Sequence, residues 1–231
     1  RLIVGRGWGQ GPTHSQSYHS FLSSLPGINV LYPYDPDTAY NSILKGMKSG
    51  IPTVMIEHRW LHNTKGKISK SEKNIDEMLQ IRKGNDFTVF VYGYMVPEAI
   101  KAADILNELS ITIDIFTMIN LSNKDFGKLF NSIEKTKNLI LIECFSQDCA
   151  LINNISTEIL KRKEITSNLE TFKTFALPDE HENTSFYKTK SRYVNYEQIT
   201  KYVLKILGKD EIMFKENNLH DIPGDWFKGP F

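Results

Sequence analysis

"INVLYPYDPDTAYNSILKGMKSGIPTVMIE", residues 28–57, decides the fold. "INVLYP" is a short apolar run of strand type, and from Asp35 to Lys48 the apolar residues Ala39, Ile43, Leu44 and Met47 recur on one side at helical spacing. Asp35-Pro36 opens this helix well, because an aspartate can accept from the unpaired N–H groups and proline's fixed φ suits the first turn. "TVMIE", Thr53 to Glu57, returns to strand character. Strand, helix, strand implies parallel pairing through a right-handed crossover.

The same alternation extends in both directions. Upstream, Leu2 to Val4 form an apolar run ending at Gly5, followed by a glycine-rich turn and then "SQSYHSFLSSL", with Tyr18, Phe21 and Leu22 at helical spacing. Downstream, residues 63–85 are lysine-rich, mixed in charge and without apolar periodicity, which predicts a solvated linker. "FTVFVYG", Phe87 to Gly93, then opens a second alternating unit. It predicts helices at Val96–Leu109, Lys124–Lys135, Ala150–Lys163 and Tyr196–Leu207, with strands at Ile111–Met118 and Asn138–Cys144. "NLILIEC" is almost continuously apolar, as expected for a strand covered on both faces. The tail from Gly208 to Phe231 carries Met213 and the aromatics Phe214, Trp226, Phe227 and Phe231, expected to pin it to a groove of the protein's own surface, with a partner's surface as the alternative. The expected fold class is α/β, as two three-layer domains with mostly parallel sheets: residues 1–62 and 86–207, joined by 63–85 and followed by 208–231.

Bulk properties narrow the function. With 28 basic against 27 acidic residues the net charge is +1, so no global field favours nucleic acid or an anionic membrane. No apolar run approaches a membrane span, and a cytoplasmic protein is expected. Cys144 and Cys149 lack zinc-site spacing and read as buried or half-buried thiols in a reducing compartment. Arg1 is followed at once by the apolar Leu2, Ile3 and Val4, which reads as a piece of a longer chain.

His14, in "GQGPTHSQS" (residues 9–17), is the sharpest chemical candidate. It follows a strand and a glycine-rich turn and precedes a helix, where α/β sheets present ligand-binding residues, and imidazole moves protons near neutrality. A histidine that merely satisfies loop backbone fits the same position. The glycines at 5, 7, 9 and 11 match no phosphate-loop motif. His58 and His62 are expected at the surface, His19 facing outward or toward a partner, and His181 in the acidic loop "PDEHEN". No nucleophile elbow, Cys–His pairing or metal-ligand set is evident, so the metal expectation is none.

Taken together, "GPTHSQS" (11–17), "EHRWLHNTKG" (57–66), "TVFVYGYMVPEAIKAADIL" (88–106), "SITIDIFTMINLSNKD" (110–125) and "NLILIEC" resemble, in order, the beta chain of thiamine-diphosphate-dependent 2-oxo acid dehydrogenases. The resemblance implies that residues 1–62 are the latter part of a pyrimidine-binding domain and 86–207 a transketolase-type carboxy-terminal domain. It implies that His14 handles proton transfer beside the cofactor thiazolium, with Gln16 in a supporting cofactor-binding place. It also implies thiamine diphosphate with magnesium, held mostly by a partner alpha subunit, together with a second beta subunit, a lipoyl-bearing acyltransferase and a 2-oxo acid substrate. The family's activating glutamate belongs to a first half not present in these residues, so the isolated chain is expected to be inactive. Of the alpha chain's "GDG" motif only "GDW" (224–226) occurs, and Ser49 stands where many relatives place a potassium-binding aspartate, which speaks against potassium. A transketolase-like ketol or aldehyde transferase and a non-catalytic assembly module are the competing readings.

Overall fold

The computed structural model describes residues 1–5, 11–69, 74–149, 151–185 and 192–214. The first unit is built on β1 (Leu2–Val4), β2 (Asn29–Leu31) and β3 (Thr53–His58), in the order β1-β3-β2, with both pairings parallel. Two short helices, α1 (Pro12–Ser15) and α2 (His19–Ser23), follow β1, and α3 (Pro36–Lys48) crosses from β2 to β3. The sequence signal at its start is realised fully: Asp35 accepts from the Thr38 amide at 2.7 Å, Thr38 answers the Asp35 amide at 3.2 Å, and Pro36 occupies the first turn. Packing inverts the expected amphipathicity, however. Asp37, Thr38, Asn41 and Ser42 are the buried residues of α3, while Tyr40, Ile43 and Met47 are exposed.

The second unit is a five-stranded sheet in the order β4-β6-β5-β7-β8. Its strands are β4 (Leu79–Arg82), β5 (Phe87–Phe90), β6 (Ile113–Thr117), β7 (Asn138–Ser146) and β8 (Thr171–Leu177). All neighbours pair in parallel except β4, which runs antiparallel to β6 with a register shift at Gln80–Arg82. The connecting helices are α4 (Met95–Glu108), α5 (Gly127–Thr136), α6 (Ile152–Leu160) and the short α7 (Lys163–Thr166). The last described helix, α8 (Tyr196–Ile206), packs against α4 and starts on an Asn195–Gln198 capping box. No helix among the described residues is long and apolar enough to cross a membrane.

Two features depart from the sequence expectation. The stretch read as linker carries β4, whose residues are half-buried or, at Gln80, exposed, because an antiparallel edge strand satisfies its backbone on one side and needs little apolar signature. β8, "TFKTFAL", was not anticipated; it is held by its long parallel register against β7 rather than by a buried face. Of the tail, Ile212 and Phe214 pack on the core, with Phe214 edge-on to Tyr196 at 5.7 Å, while Trp226, Phe227 and Phe231 lie outside the described residues.

The two sheets share one continuous core, which contains Val4, Val30 and Ile56 of the first and Val89, Ile115 and Leu141 of the second. Backbone bonds stitch the seam: Tyr32 N–H donates to Ile119 and Leu121 N–H to Val30, both at 2.8 Å. This seam brings the loop after β1 against the carboxyl ends of β5 and β7.

Candidate functional site

The loop after β1 is held at both ends. Gly5 N–H donates to the Ser15 carbonyl at 3.0 Å, and Gly11 enters α1 at φ 73°, a left-handed value that favours glycine. Gly5 itself lies against the His58 ring so closely that a Cβ there would sit 2.0 Å from Nε2. On this short frame His14 is exposed, with Nδ1 fixed by Thr13 Oγ1 at 2.9 Å and no hydrogen bond to Nε2 among the described residues. Gln16 is half-buried and accepts from the Tyr18 hydroxyl at 2.6 Å.

Five residues after His14 the chain turns inward. His19 is fully buried, not facing outward or toward a partner as the sequence predicts, because its ring lies against Tyr92, Glu143 and Phe145 of the second unit instead of solvent. Its Nδ1 meets Ser17 Oγ at 2.6 Å, and its Nε2 meets Glu143 Oε1 at 2.9 Å and the Tyr92 hydroxyl at 3.0 Å. Glu143 is fully buried too; Oε1 also accepts from the Cys144 amide and Oε2 from the Leu151 amide, each at 2.9 Å. Cys144 Sγ lies 4.0 Å from His19 Nε2 and donates toward the Tyr32 hydroxyl at 3.7 Å. A Cys–His juxtaposition therefore exists, although no local spacing announces it.

Burial, and then the Glu143 charge, push the Tyr92 hydroxyl and the Cys144 thiol well above their usual ranges; burial followed by the neighbouring thiol does the same to Tyr32. These groups hold their protons at neutral pH. Cys144 is thus a poor nucleophile as placed, since the thiolate is the reactive form.

A pocket of about 380 Å³ opens beside this cluster, bordered by Gln16, Ser17, Cys144, Ser146, Glu182 and Arg192 among others. The Arg192 side chain is buried and donates to the Pro178 and His181 carbonyls, each at 3.1 Å, with Glu180 Oε2 at 3.4 Å and Glu182 Oε2 at 3.6 Å. It therefore folds the segment after β8 into a wall of the pocket. His181, which contributes that carbonyl, is exposed.

The other histidines separate cleanly. His58 is buried, contrary to expectation, and stacks on Tyr94 with ring centres 4.0 Å apart and 25° between planes, next to Trp60. It ends a strand that the seam covers, so aromatic packing claims it. His62 is partly exposed, 3.7 Å from Glu57, whose carboxyl is held below its usual range by Arg1. The structure thus leaves His14 and Gln16 beside the pocket-forming loop and adds His19, Tyr92, Glu143 and Cys144. One signal could have found the addition: Glu143 is a carboxylate inside an otherwise apolar central strand, which folding tolerates only when it is paired.

An α/β unit with this mixed sheet and this helix arrangement has known counterparts. The family described as "Transketolase, C-terminal domain" matches residues 76–194, and the chain belongs to that family. The chain is 30% identical over 158 residues to the acetoin:2,6-dichlorophenolindophenol oxidoreductase subunit beta of Bacillus subtilis (strain 168), covering 68% of this chain and 46% of that protein. It is 27% identical over 152 residues to the pyruvate dehydrogenase E1 component subunit beta of the same organism, covering 64% of this chain and 47% of that protein. The chain spans about half the length of the curated relatives it matches. Among solved structures it is similar in fold to a split-gene transketolase described as an inactive beta4 tetramer, with TM-score 0.70 and 17% identity over 89% of this chain and 66% of that one.

Proposed function

We propose that these residues serve in the beta subunit of a thiamine-diphosphate-dependent 2-oxo acid dehydrogenase, with His14 as the proton-transfer residue. What supports the reading is the similarity to pyruvate and acetoin dehydrogenase beta subunits, combined with a histidine exposed on a short, braced helical turn two residues before pocket-lining Gln16. Residues 1–62 correspond in this reading to the latter part of a pyrimidine-binding domain, and the carboxy-terminal domain takes in β4 as well as residues 86–207. Thr13, Gln16 and Ser17 around His14 bring hydroxyls and an amide but no carboxylate, a donor set that suits hydrogen bonding to an organic cofactor better than holding magnesium. The diphosphate and its metal fall to an alpha subunit, and a second beta subunit and a lipoyl-bearing acyltransferase complete the assembly, in the cytoplasm. When bound, thiamine diphosphate supplies the electron sink for breaking the bond next to the oxo carbon. His14 Nε2, without a hydrogen-bond partner among the described residues, gives and takes the proton at the substrate oxygen, while the Thr13 hydroxyl fixes the ring.

The test is thiamine-dependent release of carbon dioxide from 2-oxo acids by the full-length polypeptide with its alpha partner. His14→Ala should lower kcat by about 10²–10⁴-fold, the usual worth of a positioned acid–base group. An unchanged rate removes His14 from that role.

A further inference from the structure

His19, Glu143 and Cys144 bring one imidazole nitrogen, one carboxylate oxygen and one thiol sulfur within 4.8 Å of one another, all three residues buried. The separations from His19 Nε2 are 2.9 Å to Glu143 Oε1 and 4.0 Å to Cys144 Sγ. A tetrahedral site with metal–nitrogen distances of about 2.0–2.1 Å and metal–sulfur distances of about 2.3 Å places its ligands roughly 3.3–3.7 Å apart, so the observed spacings bracket that geometry. Each ligand also has an orienting partner: Ser17 Oγ on His19 Nδ1, the Leu151 amide on Glu143 Oε2 and the Tyr32 hydroxyl by Cys144 Sγ. An approach exists through the pocket, whose wall includes Cys144 and Ser17.

We propose that His19, Glu143 and Cys144 form a binding site for a divalent transition metal of the zinc class, with water from the pocket in the fourth position. Charge favours it. Metal binding releases the Cys144 thiol proton to solvent and moves the His19 proton from Nε2 to Nδ1, where Ser17 Oγ accepts it. The two positive charges are then matched by thiolate and carboxylate. A thiolate with an imidazole selects zinc-class ions over magnesium, so this site is chemically separate from any diphosphate-bound magnesium. Because residue 19 belongs to the loop of the first unit and 143–144 to a strand of the second, the ion fastens the His14 loop to the second sheet.

Cobalt(II) is the probe. Full-length polypeptide, stripped with a chelator and titrated with Co²⁺, should take up one equivalent, with visible bands of a four-coordinate ion and an intense near-ultraviolet thiolate-to-cobalt band. Zn²⁺ should bleach both. Cys144→Ser should abolish the near-ultraviolet band while circular dichroism confirms folding, and Cys149→Ser should leave it intact. The proposal is overturned if wild-type protein takes up no Co²⁺, if its bound Co²⁺ lacks the thiolate band, or if that band survives Cys144→Ser.

Discussion

Removing the Glu143 carboxylate should be among the most damaging single changes in the chain. Three donors converge on it: His19 Nε2–H and the amides of Cys144 and Leu151, each at 2.9 Å. In Glu143→Ala all three lose their acceptor in a site with no solvent exposure. At about 1–3 kcal/mol for each buried donor left unpaired, the sum reaches roughly 3–9 kcal/mol. Water drawn from the adjacent pocket favours the lower half of that range, about 3–5 kcal/mol. With a urea slope of about 3 kcal/mol per molar, the unfolding midpoint should move down by about 1–2 M. Glu143→Gln keeps one acceptor and turns the other into a donor facing an N–H group, so its midpoint should lie between the alanine variant and wild type. Urea unfolding followed by circular dichroism on metal-free protein checks the order. An alanine variant within about 0.5 kcal/mol of wild type, as for an ordinary surface change, refutes the claim that this carboxylate holds the seam together.

Gly5→Ala should destabilise by about 2–4 kcal/mol, from a Cβ driven into the His58 ring plus a left-handed φ of 77°, whereas Gly50→Ala, at φ 63° with open space around it, should lose only about 1–2 kcal/mol; equal melting temperatures for the two would refute the contact. Tyr34 is pushed up to about 12 by burial and then by the Asp35 and Asp37 charges. Its unfolded counterpart releases a proton near pH 10, so stability should fall as pH rises from about 10 to 12, and Tyr34→Phe should flatten that fall in denaturant titrations. In a Cys149→Ser background, Cys144 should react with a thiol reagent only on unfolding, since it is buried and its thiol is pushed up; fast native-state labelling would contradict the placement.

The alternation of apolar runs was enough to read the parallel strands other than the half-buried β8, because strands covered on both faces must be apolar whatever their partners. β5 and β7 were visible for that reason. β4 was not, since its residues include Gln80 and Arg82 and its register is set by β6, more than thirty residues away. The site divides along the same line. The position of His14, on a turn of helix after β1, was legible from the strand and glycine-rich turn before it. His19 was misread because Tyr18, Phe21 and Leu22 at helical spacing set the apparent inner side of that short helix; Tyr18 and Phe21 are exposed instead, and His19 lies buried against Tyr92 and Glu143. Which side of a helix is inside depends on what packs there, and here the packing partner lies over 70 residues downstream at Tyr92 and over 120 at Glu143.

If His14 has the proton-transfer role proposed for it, the two histidines have complementary work. His14 has one local bond and an outward nitrogen, the arrangement of a residue that exchanges protons. His19 has partners on both ring nitrogens, from its own loop on one side and from β7 and the end of β5 on the other. Were the loop held only by its own bonds, Gly5 to Ser15 and Gly11 to His14, its few residues would leave His14 free to wander by more than the fraction of an ångström that positioned proton transfer allows. With His19 buried in the second sheet, the loop is tied across the seam within five residues of the exposed imidazole. Loosening that tie should therefore disturb the chemistry at His14 without touching it. A His19→Ala variant that keeps its fold and its full reaction rate would refute this tie.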